Sequence, residues 1–261
     1  MKVITLLNEK GGVGKTTLTT HIGAGLAIDG LRVVVIDADA QGHTTVQFGL
    51  KEWGGLYRLI AQADEWEWNK LLKSPNPEVW AGKHKVKGQL AVLPGNVESR
   101  GIPQVTERVL LLRERLEELR EHVDVVLIDT SPTPYMLHTM LYLASDYVLY
   151  PTLAEYLSLR GLAATIARTE EVNSIRESKR LIPLTLAGVI PTMVRSNTTA
   201  HQHGLEKIEE KFGKVIMPST ALRTVWSDAA FANRLLFAYA PGHEALAEVW
   251  NIVHAVQKVV A

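Results

Sequence analysis

The feature that most constrains this chain is a glycine-rich loop close to its N-terminus. Residues 8–17 read NEKGGVGKTT, follow the apolar stretch Val3–Leu7 and open a helix-like segment at Thr16–Ile28. A strand, a glycine-rich loop and a helix in this order are typical of phosphate-binding loops. Glycines allow successive backbone N–H groups to curl around phosphate oxygens, and the helix N-terminus adds partial positive charge. The sequence therefore predicts a nucleoside-triphosphate site at this loop.

The loop departs from the common pattern G-x-x-x-x-G-K-[ST] at one position. Glu9 replaces its first glycine, and Lys10 follows as an additional cation. Lys15 is placed to reach the β- and γ-phosphates, and the Thr16 hydroxyl is a ligand for Mg²⁺. We expect the nucleotide to contact seven consecutive residues: Gly11, Gly12, Val13, Gly14, Lys15, Thr16 and Thr17.

Short apolar runs alternate with helical patterns along the whole chain, which predicts a three-layer, doubly wound α/β fold around a mostly parallel sheet. No Pro-, Gly- or Ser-rich linker divides the 261 residues, so we expect one domain over residues 1–261. The predicted strands are Val3–Leu7, Val33–Asp37, Leu90–Leu93, Val123–Asp129, Tyr147–Tyr150, Leu184–Ile190 and, more weakly, Val215–Met217. The predicted helices are Thr16–Ile28, Gln104–Glu121, Pro134–Ala144, Glu155–Arg176, Thr199–Phe212, Thr220–Phe231 and His243–Val260.

Three aspartates follow predicted strands and supply the acidic groups that a phosphate-binding loop requires. Asp37 and Asp39 close the second strand, and Asp129 ends the apolar run Val125–Ile128. In parallel sheets, ligands bind beyond the carboxyl ends of the strands, where these side chains converge with the loop. We expect Thr16, Asp37 and Asp129 to hold Mg²⁺ and Asp39 to position the attacking water.

The run Lys10–Thr17 resembles the deviant Walker A loop of the ParA/MinD family of ATPases, whose first lysine is called the signature lysine. Asp37–Gln41 is similar to the family's Asp-x-Asp-Pro-Gln segment, with Ala40 replacing proline. Asp129–Pro134 resembles its Asp-x-Pro-Pro segment less closely. The resemblance implies binding of ATP and ADP with Mg²⁺, and an ATP-dependent homodimer in which Lys10 reaches the phosphates of the opposite subunit. Lys10, Lys15 and Asp39 are then the catalytic residues.

Other features select the ParA-type partition branch of that family. The chain has no cysteine, which excludes the relatives that bind an iron–sulfur cluster through cysteines. Its terminal segment His243–Val260 contains one Lys or Arg, unlike the basic membrane helix that ends MinD-like proteins. Met217–Arg223 followed by Ser227–Ala229 resembles the family's C-terminal signature, and no helix-turn-helix precedes the first strand. The resemblance implies a cytoplasmic, nucleoid-associated protein that binds DNA without sequence preference and has a ParB-like partner.

The resemblance also suggests where base and DNA contacts lie. Thr192 and Pro218 are candidate contacts to the adenine, with ordinary strand ends as the alternative. Arg195, Arg223 and Arg234 are candidate DNA contacts, although each could equally be a solvated surface charge. The balance of 28 basic and 28 acidic residues excludes a globally basic DNA binder but leaves room for a local basic patch.

Two other functions remain open at this point. One is a membrane-associated positioning ATPase of the MinD kind, although no apolar run is long enough to cross a bilayer and we expect no membrane binding. The other is a metabolic enzyme of the same architecture, such as a biotin-pathway ligase. The stretch Lys51–Lys87 contains Trp53, Trp66, Trp68 and Trp80; we expect them to pack peripheral helices, with a partner-docking surface as the alternative.

Overall fold

The computed structural model describes residues 1–62, 67–132 and 136–261. Its strands form one parallel sheet in the order β3-β2-β4-β1-β5-β6. The strands are β1 (Lys2–Leu6), β2 (Arg32–Asp37), β3 (Gln89–Leu93), β4 (Val125–Asp129), β5 (Tyr147–Leu153) and β6 (Thr185–Thr192). The α-helices of the described residues are α1 (Lys15–Asp29), α2 (His43–Gln47), α3 (Gly55–Ala61), α4 (Trp68–Leu71), α5 (Pro77–Trp80), α6 (Ile102–Val105), α7 (Leu111–Glu117), α8 (Met136–Ala144), α9 (Tyr156–Ser178), α10 (Thr199–Phe212), α11 (Val225–Phe231), α12 (Leu236–Tyr239) and α13 (Glu244–Val260).

Helices cover both faces of the sheet, which confirms the predicted three-layer class. Successive strand residues point to opposite faces. In β4, Val125 and Leu127 join the core that contains α1 and α13. Val126 and Ile128 join the core that contains α3, α7 and α8. Because all four side chains are buried, a continuous apolar run is the pattern that this strand requires.

The strand registers bring the predicted acidic residues together. β4 lies between β1 and β2, and Asp129 stands opposite Leu6 on one side and Asp37 on the other. All three residues end their strands at the same edge of the sheet. The glycine-rich loop leaves β1 at this edge, so the sheet itself places the two carboxylates beside the loop.

Two predicted elements in the middle and late parts of the chain are wrong in detail. The single helix Gln104–Glu121 is broken into α6 and α7, because Thr106 is extended and its hydroxyl accepts a hydrogen bond from the Arg108 N–H. Such a local turn competes with helical hydrogen bonding. The weak strand Val215–Met217 is replaced by a short 3₁₀ turn and one isolated bridge between Val189 and Ile216.

The predicted helix Thr220–Phe231 begins only at Val225. Before that point, Ala221 bridges to Val194, and its N–H donates to Glu248 of α13 at 2.9 Å. These tertiary hydrogen bonds take the backbone groups that a helix would use. Of the helix predicted from Pro134, residues 134 and 135 lie outside the described residues, and the rest is α8.

The tryptophans and the C-terminal helix are used mainly for packing, as the sequence predicts. Trp80 is buried beside α1 and α13, whereas Trp53 and Trp68 are partly buried against the opposite core; Trp66 lies outside the described residues. The apolar face of α13 is buried against α1. Among the described residues, no helix combines the length and apolar character needed to cross a bilayer.

Candidate nucleotide and metal site

The glycine-rich loop adopts the conformation that its glycines predict. Gly12 and Gly14 have φ angles of +74° and +86°, in the left-handed region that side chains disfavour. Lys15 begins α1 and is 6% exposed, and its ammonium donates to the carbonyl oxygens of Asn8 at 2.9 Å and Lys10 at 3.3 Å. Burial lowers the pKa of Lys15, and Asp129 and Asp39 oppose that shift.

Asp129 joins the loop to the segment after β2. Its Oδ2 accepts a hydrogen bond from the Thr16 hydroxyl at 2.7 Å and from the Thr44 hydroxyl at 2.8 Å. Thr16 lies on α1 and Thr44 on α2, so this one carboxylate holds both elements at the edge of the sheet. Burial raises the pKa of Asp129 to about 6, and the two hydroxyl donors limit the shift.

Asp37 is the neighbouring buried carboxylate, and only one of its oxygens is satisfied. Oδ2 accepts from the Thr45 N–H at 2.8 Å and from the Thr45 hydroxyl at 2.6 Å. Oδ1 is buried without a hydrogen-bond partner among the described residues. Burial, followed by repulsion from Asp129, raises the pKa of Asp37 to about 7.

This arrangement fits a divalent cation. Mg²⁺ prefers hydroxyl and carboxylate oxygens and is bound through one or two carboxylates together with substrate phosphates. Thr16, Asp37 and Asp129 supply that donor set, and the unpartnered oxygen of Asp37 indicates charge that a cation would compensate. Among the described residues, no group of three or more His, Cys, Asp or Glu side chains forms a complete metal cage. The site therefore fits a metal that arrives with phosphate ligands.

A cleft of about 420 Å³ opens above the loop and contains Asp39. Asp39 is 7% exposed, and its Oδ1 accepts a hydrogen bond from the Gln41 N–H at 3.0 Å. This bond holds the carboxylate at the wall of the cleft. The remaining cleft residues come from four segments of the chain: Gly11, Gly12, Gly14, Lys15, Thr16 and Thr17; Gln41 and His43; Thr130 and Pro132; and Met193.

A smaller pocket of about 160 Å³ continues from the cleft past Gly14 and Thr17. Thr192 lines this pocket, and its hydroxyl donates to the carbonyl oxygen of Val13 at 3.0 Å, so β6 is attached to the loop. Pro218 is exposed and is not among the pocket's lining residues; Thr220, two residues later, takes that place. Thr192 thus lines the pocket and Pro218 lies outside its lining, and both adenine contacts stay predictions.

Lys10 does not line the cleft. Its ammonium contacts Glu155 Oε2 at 3.1 Å and Ser158 Oγ at 2.7 Å, both near the start of α9. Its N–H donates to Oδ1 of Asn8, whose amide donates in turn to the carbonyl oxygen of Pro151. Lys10 is therefore held at the rim of the site, whereas Lys15 lies inside it.

The three candidate DNA contacts have different surroundings. Arg195 and Arg234 are exposed and form no ion pair with another described residue. Arg223 is bound by two carboxylates of α13, Glu244 and Glu248, the latter at 2.9 Å. These bonds neutralise the Arg223 guanidinium and leave it a poor contact for phosphate.

The sequence patterns miss several polar residues of the site. Thr44 and Thr45 are the partners of Asp129 and Asp37, and Asn8, Glu155 and Ser158 fix the two ends of the loop. The sequence could have indicated Thr44 and Thr45, because hydroxyl residues that closely follow an aspartate at a strand end often donate hydrogen bonds to a carboxylate. No sequence pattern indicates Glu155 and Ser158, since only the fold brings α9 beside residue 10.

Comparison with known proteins identifies the family of the chain. The family model AAA_31, described as an AAA domain, matches residues 1–182. Chromosome-partitioning ATPase Soj of Thermus thermophilus is 31% identical over 239 residues, covering 91% of this chain and 88% of its own. Apo McdA of Cyanothece has a TM-score of 0.78 at 21% identity, covering 98% of this chain and 99% of its own.

A second solved structure carries a nucleotide and a metal. The septum site-determining protein MinD of Pyrococcus horikoshii, complexed with Mg-ADP, has a TM-score of 0.78 at 17% identity, covering 100% of this chain and 97% of its own. At such identities the two structures show the fold. Since the family model spans most of the chain and the Soj relative aligns over nine tenths of it, this chain belongs to the ParA/MinD family and is an ATPase of the ParA partition type.

Proposed function

We propose that this ATPase hydrolyses ATP between two copies of the chain and binds DNA without sequence preference in that dimeric state. A ParB-like partner then triggers hydrolysis, and ADP-bound monomers leave the DNA. Repeated release and rebinding positions a cargo on the nucleoid. In this proposal the protein works in the cytoplasm and away from membranes.

The position of Lys10 carries the proposal. A lysine in a phosphate-binding loop should face phosphate, yet Lys10 lies on the rim and does not line its own cleft. Its partners, Glu155 and Ser158, leave the side chain 35% exposed. A cation held at the rim is suited to a phosphate that a second subunit presents. There it would stabilise charge on the transferring phosphoryl group, as an arginine finger does.

The other residues divide the chemistry among them. Backbone N–H groups of Gly11–Thr17 and the Lys15 ammonium hold the phosphates, and Asp39, which lines the same cleft, orients the attacking water. Mg²⁺, held by Thr16 together with Asp37 and Asp129, would neutralise charge on the phosphates. Thr192 and the pocket next to it hold the base.

The test replaces Lys10 with alanine and measures three properties in the same samples. We expect Lys10→Ala to bind ATP like the wild type, to remain monomeric in sedimentation with Mg-ATP, and to hydrolyse ATP roughly 10³-fold more slowly, by analogy with removal of an arginine finger. Lys179→Ala, at an exposed lysine distant from the loop, is the matched control. Normal dimerisation and turnover in Lys10→Ala would overturn the shared-site proposal.

The DNA part of the proposal has its own test. The wild type is sedimented with mixed-sequence DNA, or with anionic liposomes, in the presence of ATP or ADP. We expect ATP-dependent retention on DNA and none on liposomes. Retention on liposomes alone would favour a MinD-like function, and retention on neither would favour a metabolic enzyme of the same architecture.

A further inference from the structure

The stretch Lys51–Lys87 ends in a run of alternating character, Lys83-His84-Lys85-Val86-Lys87. The two residues at even positions face the protein. The His84 ring lies 5.7 Å from the Phe237 ring and 6.2 Å from the Trp250 ring, and Val86 packs against the core around α1 and α13. The three lysines at odd positions are exposed. Three exposed lysines therefore lie within five consecutive residues.

These lysines are not neutralised by neighbours. Among the residues that the structure describes, no carboxylate lies within ion-pair distance of Lys83, Lys85 or Lys87, and their ammonium groups make no hydrogen bond. Asp29, at the end of α1, is already engaged by Gln257 at 3.2 Å and His254 at 3.5 Å. We call Lys83–Lys87 the lysine strip; it presents three uncompensated charges to solvent.

The strip continues toward Arg234, one of the predicted DNA contacts. Gly82, next to Lys83, packs so closely on α12 that a Cβ there would lie 2.7 Å from Ala238 Cα. At the other end of α12, the Leu235 N–H donates to the carbonyl oxygen of Val79 at 3.0 Å, which places the exposed Arg234 beside α5. We call Lys83, Lys85, Lys87 and Arg234 together the basic band.

The lysines of the basic band are remote from the nucleotide site. The N–H of Lys87 donates to the carbonyl oxygen of Ile28 at 3.2 Å, near the C-terminal end of α1. α1 begins at Lys15 in the phosphate-binding loop, and its 15 residues correspond to about 22 Å. A dimer that joins two nucleotide faces would therefore leave the strip Lys83–Lys87 accessible on both subunits.

We propose that the basic band binds the phosphate backbone of double-stranded DNA. Lysines and arginines that contact phosphate supply affinity without reading sequence. Arg223 is not part of the band, because its guanidinium forms ion pairs with Glu244 and Glu248. At Lys83–Lys87, DNA is a better occupant than a bilayer, because Val86 and His84 face the core and leave this segment no exposed apolar side chain to insert. Phe231, three residues before Arg234, is 93% exposed, and the vesicle measurement below tests that end of the band. This inference rests on the proposed DNA-binding function.

The test uses the full chain with Lys83→Gln, Lys85→Gln and Lys87→Gln combined. Binding of a mixed-sequence duplex is measured by fluorescence anisotropy with Mg-ATP at several salt concentrations. Each lost phosphate contact should reduce the slope of log affinity against log salt by roughly 0.9, or about 2.7 for three. We expect affinity to fall at least ~10-fold at low salt, with unchanged basal ATP turnover and dimerisation.

Three further variants separate the effect of charge from an effect on folding. A control with the same net charge, Lys51→Gln, Lys179→Gln and Lys214→Gln, removes three exposed lysines elsewhere and should keep most of the salt slope. Replacement of Lys83, Lys85 and Lys87 by arginine should restore binding. Arg234→Gln, added to the glutamine triple variant, should weaken binding further.

The outcomes distinguish the two levels of the proposal. If the wild type binds no DNA with ATP, the proposed function fails, and the band with it. If the wild type binds DNA and the glutamine triple variant binds equally well with the same salt slope, the basic band is wrong while the function stands. Loss of binding to anionic phosphatidylglycerol vesicles, with DNA binding intact, would assign the band to a membrane and overturn the DNA proposal.

Discussion

Lys10 and Glu155 form an ion pair across the rim of the nucleotide cleft, with 3.1 Å between Nζ and Oε2. Their side chains are 35% and 49% exposed, and ion pairs of this kind contribute less than about 1 kcal/mol. The contact therefore holds the lysine in a defined place without preventing its departure. A lysine that binds phosphate in a second subunit must be ordered beforehand, and breaking its contact with Glu155 must require little free energy.

Glu155→Gln tests how strongly this contact holds Lys10. Removing the carboxylate frees the lysine, so we expect ATP-dependent dimerisation to tighten by up to about 5-fold, the equivalent of 1 kcal/mol, with ATP binding by the monomer unchanged. Sedimentation across a concentration series with Mg-ATP measures the effect. Glu9→Gln, which removes the adjacent pair with Arg168 and leaves Lys10 bound, is the control. Weakened dimerisation in Glu155→Gln would mean that Glu155 is required inside the dimer.

Asp37→Asn should make the nucleotide-free protein more stable and the site weaker. The pKa of Asp37 is raised to about 7, so the folded state holds this proton more tightly than the unfolded state. The free energy of unfolding therefore falls as the pH rises from about 4 to 7, and the full loss is present at pH 8. At pH 8 we expect a higher Tm than that of the wild type without ligand. Addition of Mg-ATP should raise the Tm of the wild type and have little effect on the variant.

Thermal unfolding with and without Mg-ATP measures both effects, and Glu209→Gln at an exposed position of α10 is the control. A lower Tm of ligand-free Asp37→Asn would show that the ionised carboxylate stabilises the fold and is no source of repulsion.

His21 should make stability depend on pH. Its Nδ1 donates to the Thr17 carbonyl oxygen at 2.7 Å, and its Nε2 accepts from the Leu236 N–H at 3.0 Å, so the ring is bound in its neutral form. Burial lowers its pKa to about 4. The unfolded state therefore takes up a proton first as the pH falls below 6.5. The contribution of neutral His21 to the free energy of unfolding is complete above pH 6.5 and is lost as the pH falls toward 4. Between pH 7.5 and pH 5 the free energy of unfolding falls by about 2 kcal/mol from this residue.

Urea unfolding at pH 5 and pH 7.5 measures this contribution. The difference between the two free energies of unfolding should be smaller in His21→Gln by about 2 kcal/mol and unchanged in His203→Gln, whose side chain is exposed. An equal difference in all three proteins would show that His21 titrates alike in the folded and unfolded states.

Arg176 should be required for stability, although it lies outside the nucleotide site. Its side chain is 1% exposed, and its guanidinium donates to the carbonyl oxygens of Tyr142, Ser145 and Ile182 at 2.7 Å each. Arg176→Met leaves these oxygens without donors, so we expect a loss of about 3 kcal/mol in the free energy of unfolding. Chemical denaturation measures it, with Lys179→Met at an exposed position as the control. A loss below about 0.5 kcal/mol, the range of ordinary surface changes, would contradict this role.

The parts of the site that could be predicted are those encoded by contiguous residues. The loop at Gly11–Thr17 and the strand that delivers Asp129 each form a local pattern that one stretch of chain defines. Thr44 stands 85 positions from its partner Asp129, and Glu155 stands 145 positions from Lys10, so no local pattern joins either pair. The parallel register of β2 and β4 supplies the first contact, and the packing of α9 supplies the second.

The difference between local patterns and contacts distant in sequence also explains the errors in the predicted elements. Val215–Met217 has the composition of a strand, yet only Ile216 bridges to β6, because the preceding 3₁₀ turn sets its direction. The start of α11 is delayed by the bond from Ala221 to Glu248, which lies 27 residues later. In each case a partner distant in sequence decides between two conformations that the local residues allow.

The central position of β1 has a consequence for synthesis of the chain. β1 pairs with β4 and β5, whose paired residues begin at Val125 and Tyr147. The strand that carries the nucleotide loop ends at Leu6, so it is synthesised well before β4, the first of its partners, begins at Val125. Non-local pairing of this kind makes folding slow. A nascent chain of this protein thus exposes the apolar strand β1 before its partner strands exist, and it acquires the capacity to bind nucleotide late.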